Sequence, residues 1–160
     1  MTIAEKAFLD TLSFAEGTLG IGNNGYDVLL NTGGGKSRLI NKWTADTTIN
    51  HQLNDWRVEK LDSNAAGRYQ FIGSTWIEMN NNVNKPMTKD NQDIAALKLL
   101  RIKLGSSYNF EINISDETKG IPQMQNIVDK IKKTWASFEP SVNTTETLYG
   151  WYKIAYGKYS

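Results

Sequence analysis

Proton-transfer chemistry near neutral pH needs a group whose pKa lies close to it, and this chain offers few. It contains no cysteine and one histidine, His51. The lack of cysteine removes disulfides, thiolate metal sites and cysteine nucleophiles together. One histidine cannot build a multi-His metal site, and a Ser-His-Asp triad would have to use His51. That residue lies in a polar stretch, Thr47 to Gln52, which reads as a solvated loop. The carboxylates remain, and among them Glu16 stands apart. It follows the run Glu5-Lys6-Ala7-Phe8-Leu9-Asp10-Thr11-Leu12-Ser13-Phe14-Ala15 and precedes Gly17. At 100° per residue, Leu9 and Leu12 fall on either side of Glu16, while Lys6 and Asp10 point elsewhere. The carboxylate is therefore expected on or beside the buried stripe, in the last turn of a helix that Gly17 ends. A helix C-terminus and apolar neighbours both disfavour the anion, which raises the pKa and keeps a carboxyl group available as a proton donor. The alternative is a carboxylate that reaches water or pairs with a basic residue, as acidic residues on helix flanks commonly do.

The elements that must hold such a group fit one domain, residues 1–160. The composition is 39% hydrophobic and 22% charged, with five Trp, seven Tyr and five Phe. Eighteen Lys and Arg stand against 17 Asp and Glu, a net charge of +1, so no strong field draws nucleic acid. No apolar run approaches the roughly 18 residues that span a membrane, so no membrane insertion is expected. The start, Met1 to Lys6, lacks a basic region followed by an apolar one; the expectation is synthesis in the cytoplasm without a signal peptide.

Along the chain, a Gly/Asn-rich turn at residues 18–25 is followed by an expected β-hairpin. Its strands are Tyr26 to Leu30 and Arg38 to Trp43, with the turn at Asn31 to Gly35. Alternation places Tyr26, Val28 and Leu30 on one face. Gly35-Lys36-Ser37 is not a phosphate loop, because the first glycine of that motif would fall on Leu30 and a strand, not a helix, follows. Residues 44–63 form a long polar loop carrying His51 and Trp56. After Asn64 to Gly73, a helix is expected with Thr75 and Glu78 spaced as a capping box. Another follows Pro86-Met87-Thr88 and runs to about Leu104, with Ile94, Leu97, Leu100, Arg101 and Leu104 at helical spacing and Gly105 closing it. Pro122 is expected to open an amphipathic helix with the stripe Met124, Ile127, Val128, Ile131 and Trp135. A last helix starts at Thr145 or Thr147 and carries Leu148, Tyr149, Tyr152 and Tyr156. The fold class is thus α+β, mainly helical.

Several of these stretches together resemble the lambda-type endolysins, peptidoglycan lytic transglycosylases with a lysozyme-like fold. They are Ala7-Phe8-Leu9-Asp10, Ala15-Glu16-Gly17-Thr18, Gly25-Tyr26-Asp27-Val28, Ala66-Gly67-Arg68-Tyr69-Gln70, Asn91-Gln92-Asp93-Ile94-Ala95-Ala96-Leu97 and Trp135-Ala136-Ser137. They occur in the family's order and cover most of residues 6–138. The resemblance implies a helical lobe, a small β-hairpin lobe and a glycan cleft between them. It assigns Glu16 as the catalytic residue and lines the cleft with Gly67, Arg68, Tyr69 and Gln70. The hairpin with Tyr26 and Asp27 would lie beside the cleft, and the 44–63 loop would form one lip. The chain departs from the family's pattern at residues 18–24, at Gly33-Gly34-Gly35 and after Trp135-Ala136-Ser137, where Phe138-Glu139-Pro140 leads to a distinct C-terminal helix. Groove width and glycan contacts from residues 139–160 are therefore not carried over.

The implied chemistry needs one carboxyl group. Glu16 would protonate the leaving oxygen of a β-1,4 bond between N-acetylmuramic acid and N-acetylglucosamine, then take the proton of the sugar's own C6 hydroxyl. Intramolecular attack gives a 1,6-anhydro end, the tethered nucleophile supplying proximity. Tyr69 and Gln70 would position the N-acetyl group or the intermediate. Arg68 either joins them or buttresses the turn, and Tyr26 belongs to the core or to the cleft. Asp27 holds the hairpin, binds sugar or, if about 5–9 Å from Glu16, acts as the second carboxylate of a hydrolytic muramidase. A catalytically inactive peptidoglycan-binding module is the reading from another class. The expected partner is the peptidoglycan glycan strand, the expected state a monomer, and no metal or other cofactor is implied. Action in the periplasm on the cell wall, after release through a holin lesion or delivery with a virion, completes the expectation.

Overall fold

The computed structural model describes residues 1–28, 65–82 and 85–160. Among the described residues, five α-helices run in chain order: α1 (Ile3–Ala15), α2 (Gly73–Asn80), α3 (Lys89–Leu104), α4 (Glu117–Ile131) and α5 (Thr145–Tyr159). They fall into two units, Met1–Ala15 with Leu99–Ser160, and Glu16–Lys98. The second hairpin strand, the Gly33 to Gly35 turn, Gly35-Lys36-Ser37 and the 44–63 loop with His51 lie outside the described residues.

In the first unit, α1 begins two residues before the expected Glu5 because Thr2 and Glu5 form a reciprocal cap. The Glu5 amide donates to Thr2 Oγ1 at 3.1 Å, and the Thr2 amide donates to Glu5 Oε2 at 2.8 Å. Arg101 forms an ion pair with the same carboxylate. Ala4, Ala7, Phe8, Leu9 and Leu12 are buried at helical spacing. Phe8 sits between Phe110 and Phe138, with ring centroids 5.5 and 6.2 Å away. Helix α5 packs on both α1 and α4. Thr144 caps it, and Leu148, Tyr149 and Tyr152 are buried as the stripe predicts, while Tyr156 is half-buried. Its phenols also pin the loop before α4: Tyr152 Oη donates to the Phe110 carbonyl at 2.9 Å and Tyr149 Oη to that of Asn113 at 2.7 Å.

Pro122 does not open α4. The helix starts at Glu117 under an Asp116 cap and carries Pro122 inside it. The hydrogen bond that proline gives up would have gone to the carbonyl of Thr118, an exposed position within reach of water. The stripe Met124, Ile127, Val128, Ile131 and Trp135 is buried as expected.

In the second unit, α2 starts at Gly73 with Ile72 as its N-cap and no side-chain cap, so the Thr75–Glu78 capping box does not form. Packing fixes this start instead: Trp76 is fully buried, with Phe71 at 5.4 Å, and its indole N–H donates to the Lys85 carbonyl at 3.0 Å. Helix α3 begins in this unit and ends at Leu104, in the first, with Gly105 at φ +114°, as read from the sequence. Of its expected stripe, Leu100 and Leu104 are buried. Ile94 is 63% exposed and Arg101 is exposed, and Gln92, Ala95 and Ala96 join the buried face.

Tyr26 and Asp27 do not form a strand. They lie in consecutive turns closed by Tyr26 N–H to Asn23 C=O at 3.2 Å and Val28 N–H to Gly25 C=O at 3.2 Å. Positive φ at Asn24 (+51°) and Gly25 (+87°) winds the backbone tightly here, and a Cβ at Gly25 would meet the Thr18 carbonyl oxygen at 2.7 Å. The mainly helical expectation holds. The β-hairpin lobe is not seen among the described residues, whose named pairing is an antiparallel bridge between Ala66 and Phe71.

Candidate active site

Glu16 is the first residue beyond α1 and is half-buried. Gly17 follows at φ +71°, the left-handed conformation that ends a helix. The chain then turns so that Thr18, fully buried, donates from Oγ1 to the Arg68 carbonyl at 2.6 Å. Two residues of chain span at most about 7 Å, so the Glu16 backbone is held close to an anchored point.

That anchor is the turn Gly67-Arg68-Tyr69-Gln70. The Ala66–Phe71 bridge closes it with a pair of 2.9 Å main-chain bonds, and Gln70 N–H donates to the Gly67 carbonyl at 3.2 Å. Gly67, at φ +82°, has Gln92 Oε1 where a Cβ would go. Gln70 takes φ +49°, a conformation non-glycine residues rarely adopt, and its side-chain amide donates to the Gly67 carbonyl at 2.9 Å.

Two buried polar side chains hold the backbone of this turn, and a half-buried carboxylate holds its tyrosine. Besides Thr18, the fully buried Gln92 accepts from the Arg68 amide at 2.8 Å, and donates to the carbonyls of Tyr26 at 3.0 Å and Met87 at 2.8 Å. Asp93 Oδ1 accepts from both Tyr26 Oη at 2.8 Å and Tyr69 Oη at 2.6 Å. The Arg68 guanidinium lies over those two rings, 5.2 and 5.9 Å from their centroids, and donates to the Asn24 carbonyl. Burial raises the Asp93 pKa, opposed by the two phenol bonds and Arg68. Burial and the Asp93 charge push both phenols well above the ordinary tyrosine range.

The residues singled out from the sequence thus differ in burial. Arg68 and Tyr69 are each 1% exposed. Of the two readings for Arg68, this geometry fits the buttress, since its cation braces the turn from within. Tyr26 and Gln70 are half-buried. Asp27 is buried, and its Oδ1 accepts the Asn23 amide at 2.9 Å, which fits the turn-holding reading.

Thr18, Gln92 and Asp93 were not singled out as site residues. Gln92 did leave a signal: it lies three and four residues before Ala95 and Ala96, on the apolar face of α3. A polar side chain there must find hydrogen-bond partners. Among the described residues, no group of three His, Cys, Asp or Glu could hold a metal ion, and no helix is long and apolar enough to cross a membrane.

No curated protein matches the chain by sequence. A solved structure of bacteriophage lambda lysozyme complexed with a chitohexasaccharide is similar over 97% of this chain and 95% of its own, with 25% identity and a TM-score of 0.67. A second structure of lysozyme from bacteriophage lambda is similar over 100% and 96%, with 22% identity and a TM-score of 0.62, and speaks for the fold alone. The family model described as Endolysin matches residues 6–158. With nearly its whole length matched, the chain belongs to the Endolysin family, lysozyme-like phage proteins that act on peptidoglycan.

Proposed function

We propose that this protein is a lytic transglycosylase that cleaves the β-1,4 bond between N-acetylmuramic acid and N-acetylglucosamine. Glu16 serves as general acid and then general base, and the product carries a 1,6-anhydro-muramic acid end. The observation that carries the reading is the Thr18 Oγ1–Arg68 carbonyl bond of 2.6 Å, which ties the segment bearing the one singular carboxyl group to the Gly67–Gln70 turn. A general acid must be held in register with the bond it protonates, and this tie supplies such a constraint. The glycan bound by the lambda lysozyme is of the chemical class expected here. Gln70 and Tyr26, the half-buried members of the site, make the sugar contacts, while Arg68 and Tyr69 brace them from below.

A hydrolytic muramidase would need a second carboxylate. Asp27, the residue considered for that part, spends one oxygen on the Asn23 amide, which favours the single-carboxylate mechanism. Residues 1–160 act as one catalytic domain, as a monomer and without a cofactor. The protein is made in the cytoplasm and reaches the periplasmic wall by holin release or with a virion.

Mass spectrometry of muropeptides released from purified peptidoglycan tests the reading. The expected products end in 1,6-anhydro-N-acetylmuramic acid. Glu16→Gln should lower their release by about 10²–10⁴-fold, the range for loss of a general acid–base. Products one water heavier, with reducing ends, would overturn transglycosylation. Unchanged release by Glu16→Gln would overturn the role of Glu16.

A further inference from the structure

Neighbouring residues of α3 hold the same two segments in different ways. Gln92 takes their main chains, binding the Arg68 amide and the Tyr26 carbonyl. Asp93 takes their side chains, one oxygen accepting both the Tyr26 and Tyr69 hydroxyls. A carboxylate oxygen shared by two phenols anchors the hydroxyl ends of both rings, which stand edge to face with centroids 6.4 Å apart. The phenols are stiff donors with few rotatable bonds, so a single acceptor is enough to fix where each ring's far end lies. The charge is matched as well. Arg68 lies over both rings and Lys89 lies 5.6 Å from the Tyr26 centroid, two cations facing the acceptor's ring pair; Asp90 adds a like charge on the same helix.

We propose that Asp93 is a positioning residue for glycan binding, acting through the Tyr26 and Tyr69 hydroxyls it holds. Tyr69 is buried and Tyr26 is half-buried. Asp93 therefore sets, from beneath, the pose of the one tyrosine that reaches the surface and the support under the turn ending in Gln70. The backbone of that turn does not depend on it, because Gln92 and Thr18 hold the Arg68 amide and carbonyl. The proposal rests on the glycan-binding reading of this site.

The test is calorimetric binding of a chitohexasaccharide to the Glu16→Gln protein, which prevents turnover, with Asp93 variants added. Asp93→Ala removes the shared acceptor and should raise Kd about tenfold, whereas Asp93→Asn keeps an Oδ1 acceptor and should stay within about threefold of the parent. Melting temperature is followed in parallel; a merely structural role would couple the affinity loss to lost stability and gain nothing from asparagine. Tyr26→Phe and Tyr69→Phe each delete one of the two bonds with little change in volume, and serve if Asp93→Ala does not fold. Each should weaken binding by a few fold. If Asp93→Ala, or both Tyr→Phe variants, bind as tightly as the parent, Asp93 has no positioning role and the proposal falls alone. If the Asp93-intact parent does not bind the oligosaccharide, the glycan-binding reading falls and takes this proposal with it.

Discussion

Replacing Gln92 by leucine tests a concentrated set of buried polar contacts. Gln92 is fully buried and serves three main-chain groups: the Arg68 amide, the Tyr26 carbonyl and the Met87 carbonyl. Leucine approximates the volume and satisfies none of them. Each buried group left without a partner costs about 1–3 kcal/mol, and partial relaxation leaves an expected total of about 3–5 kcal/mol. Domains of this kind hold about 5–15 kcal/mol in all, so the variant should fold with a much smaller margin. Urea denaturation gives the number; with a slope of about 2 kcal/mol/M, the midpoint should fall by roughly 2 M. Hydrogen exchange gives the location, since the Arg68 amide should lose protection more than the amides of α5. Gln92→Glu sharpens the test. It keeps an acceptor for Arg68 but turns the donor toward the two carbonyls into an anion, so it should be at least as damaging at neutral pH. Repulsion raises that carboxyl's folded pKa above its unfolded value of about 4.3, so the lost stability should return in part on acidification, as protonation restores one donor. A cost below about 1 kcal/mol for Gln92→Leu, with Arg68 protection unchanged, would refute the claim that Gln92 holds the turn.

Two further outcomes concern the helical unit. In Gly120→Ala, the new methyl would run into the Asn113 carbonyl oxygen and the Tyr149 ring, whose hydroxyl bonds that same carbonyl. The gain in helix propensity, about 1 kcal/mol, is outweighed by overpacking and the disturbed hydrogen bond, for a net loss of about 2–4 kcal/mol by thermal or urea unfolding; a stabilised variant would contradict the packing described. Glu5→Gln tests the cap and ion pair at the start of α1. Burial alone would raise the Glu5 pKa, but the Thr2 amide and Arg101 outweigh it and hold it below 4.5. A depressed folded pKa contributes stability above the unfolded value and loses it as pH falls through the folded one. The wild-type advantage over Glu5→Gln should therefore be about 1 kcal/mol at neutral pH and vanish in acid, as parallel unfolding curves would show. An advantage independent of pH would contradict it.

Much of the helical scaffold is legible in the sequence because it is written in local terms. The 3.6-residue spacing of Met124, Ile127, Val128 and Ile131, or of Leu148, Tyr149 and Tyr152, suffices to bury those faces. Gly17 and Gly105 end α1 and α3 because a left-handed residue stops a helix wherever it packs. The position of Glu16 at the end of α1 follows from the same local signals. Where spacing was ambiguous, tertiary contacts decided. Pro122 was read as a helix start, yet Asp116 caps the helix earlier and the proline rides on its exposed side. Thr75 and Glu78 have the spacing of a cap, but burial of Trp76 begins α2 at Gly73. Tyr26 and Asp27 alternate like a strand, but the positive-φ residues before them wind the chain into turns.

The site shows the same division more sharply. Sequence alone narrowed the candidates for proton transfer toward the carboxylates, since it offers one histidine and no cysteine, and it singled out Glu16 among them. It could not reveal what Gln92 and Asp93 do, because their partners on Tyr26, Arg68 and Tyr69 are 24 to 67 positions away along the chain. Nor could it choose between contact and support for Arg68, since arginine serves either end equally well. Only the tertiary structure shows that Arg68 and Tyr69 are both buried, each 1% exposed. Spacing along a chain encodes which face a residue shares, whereas a buried hydrogen bond depends on which distant segment folding brings opposite.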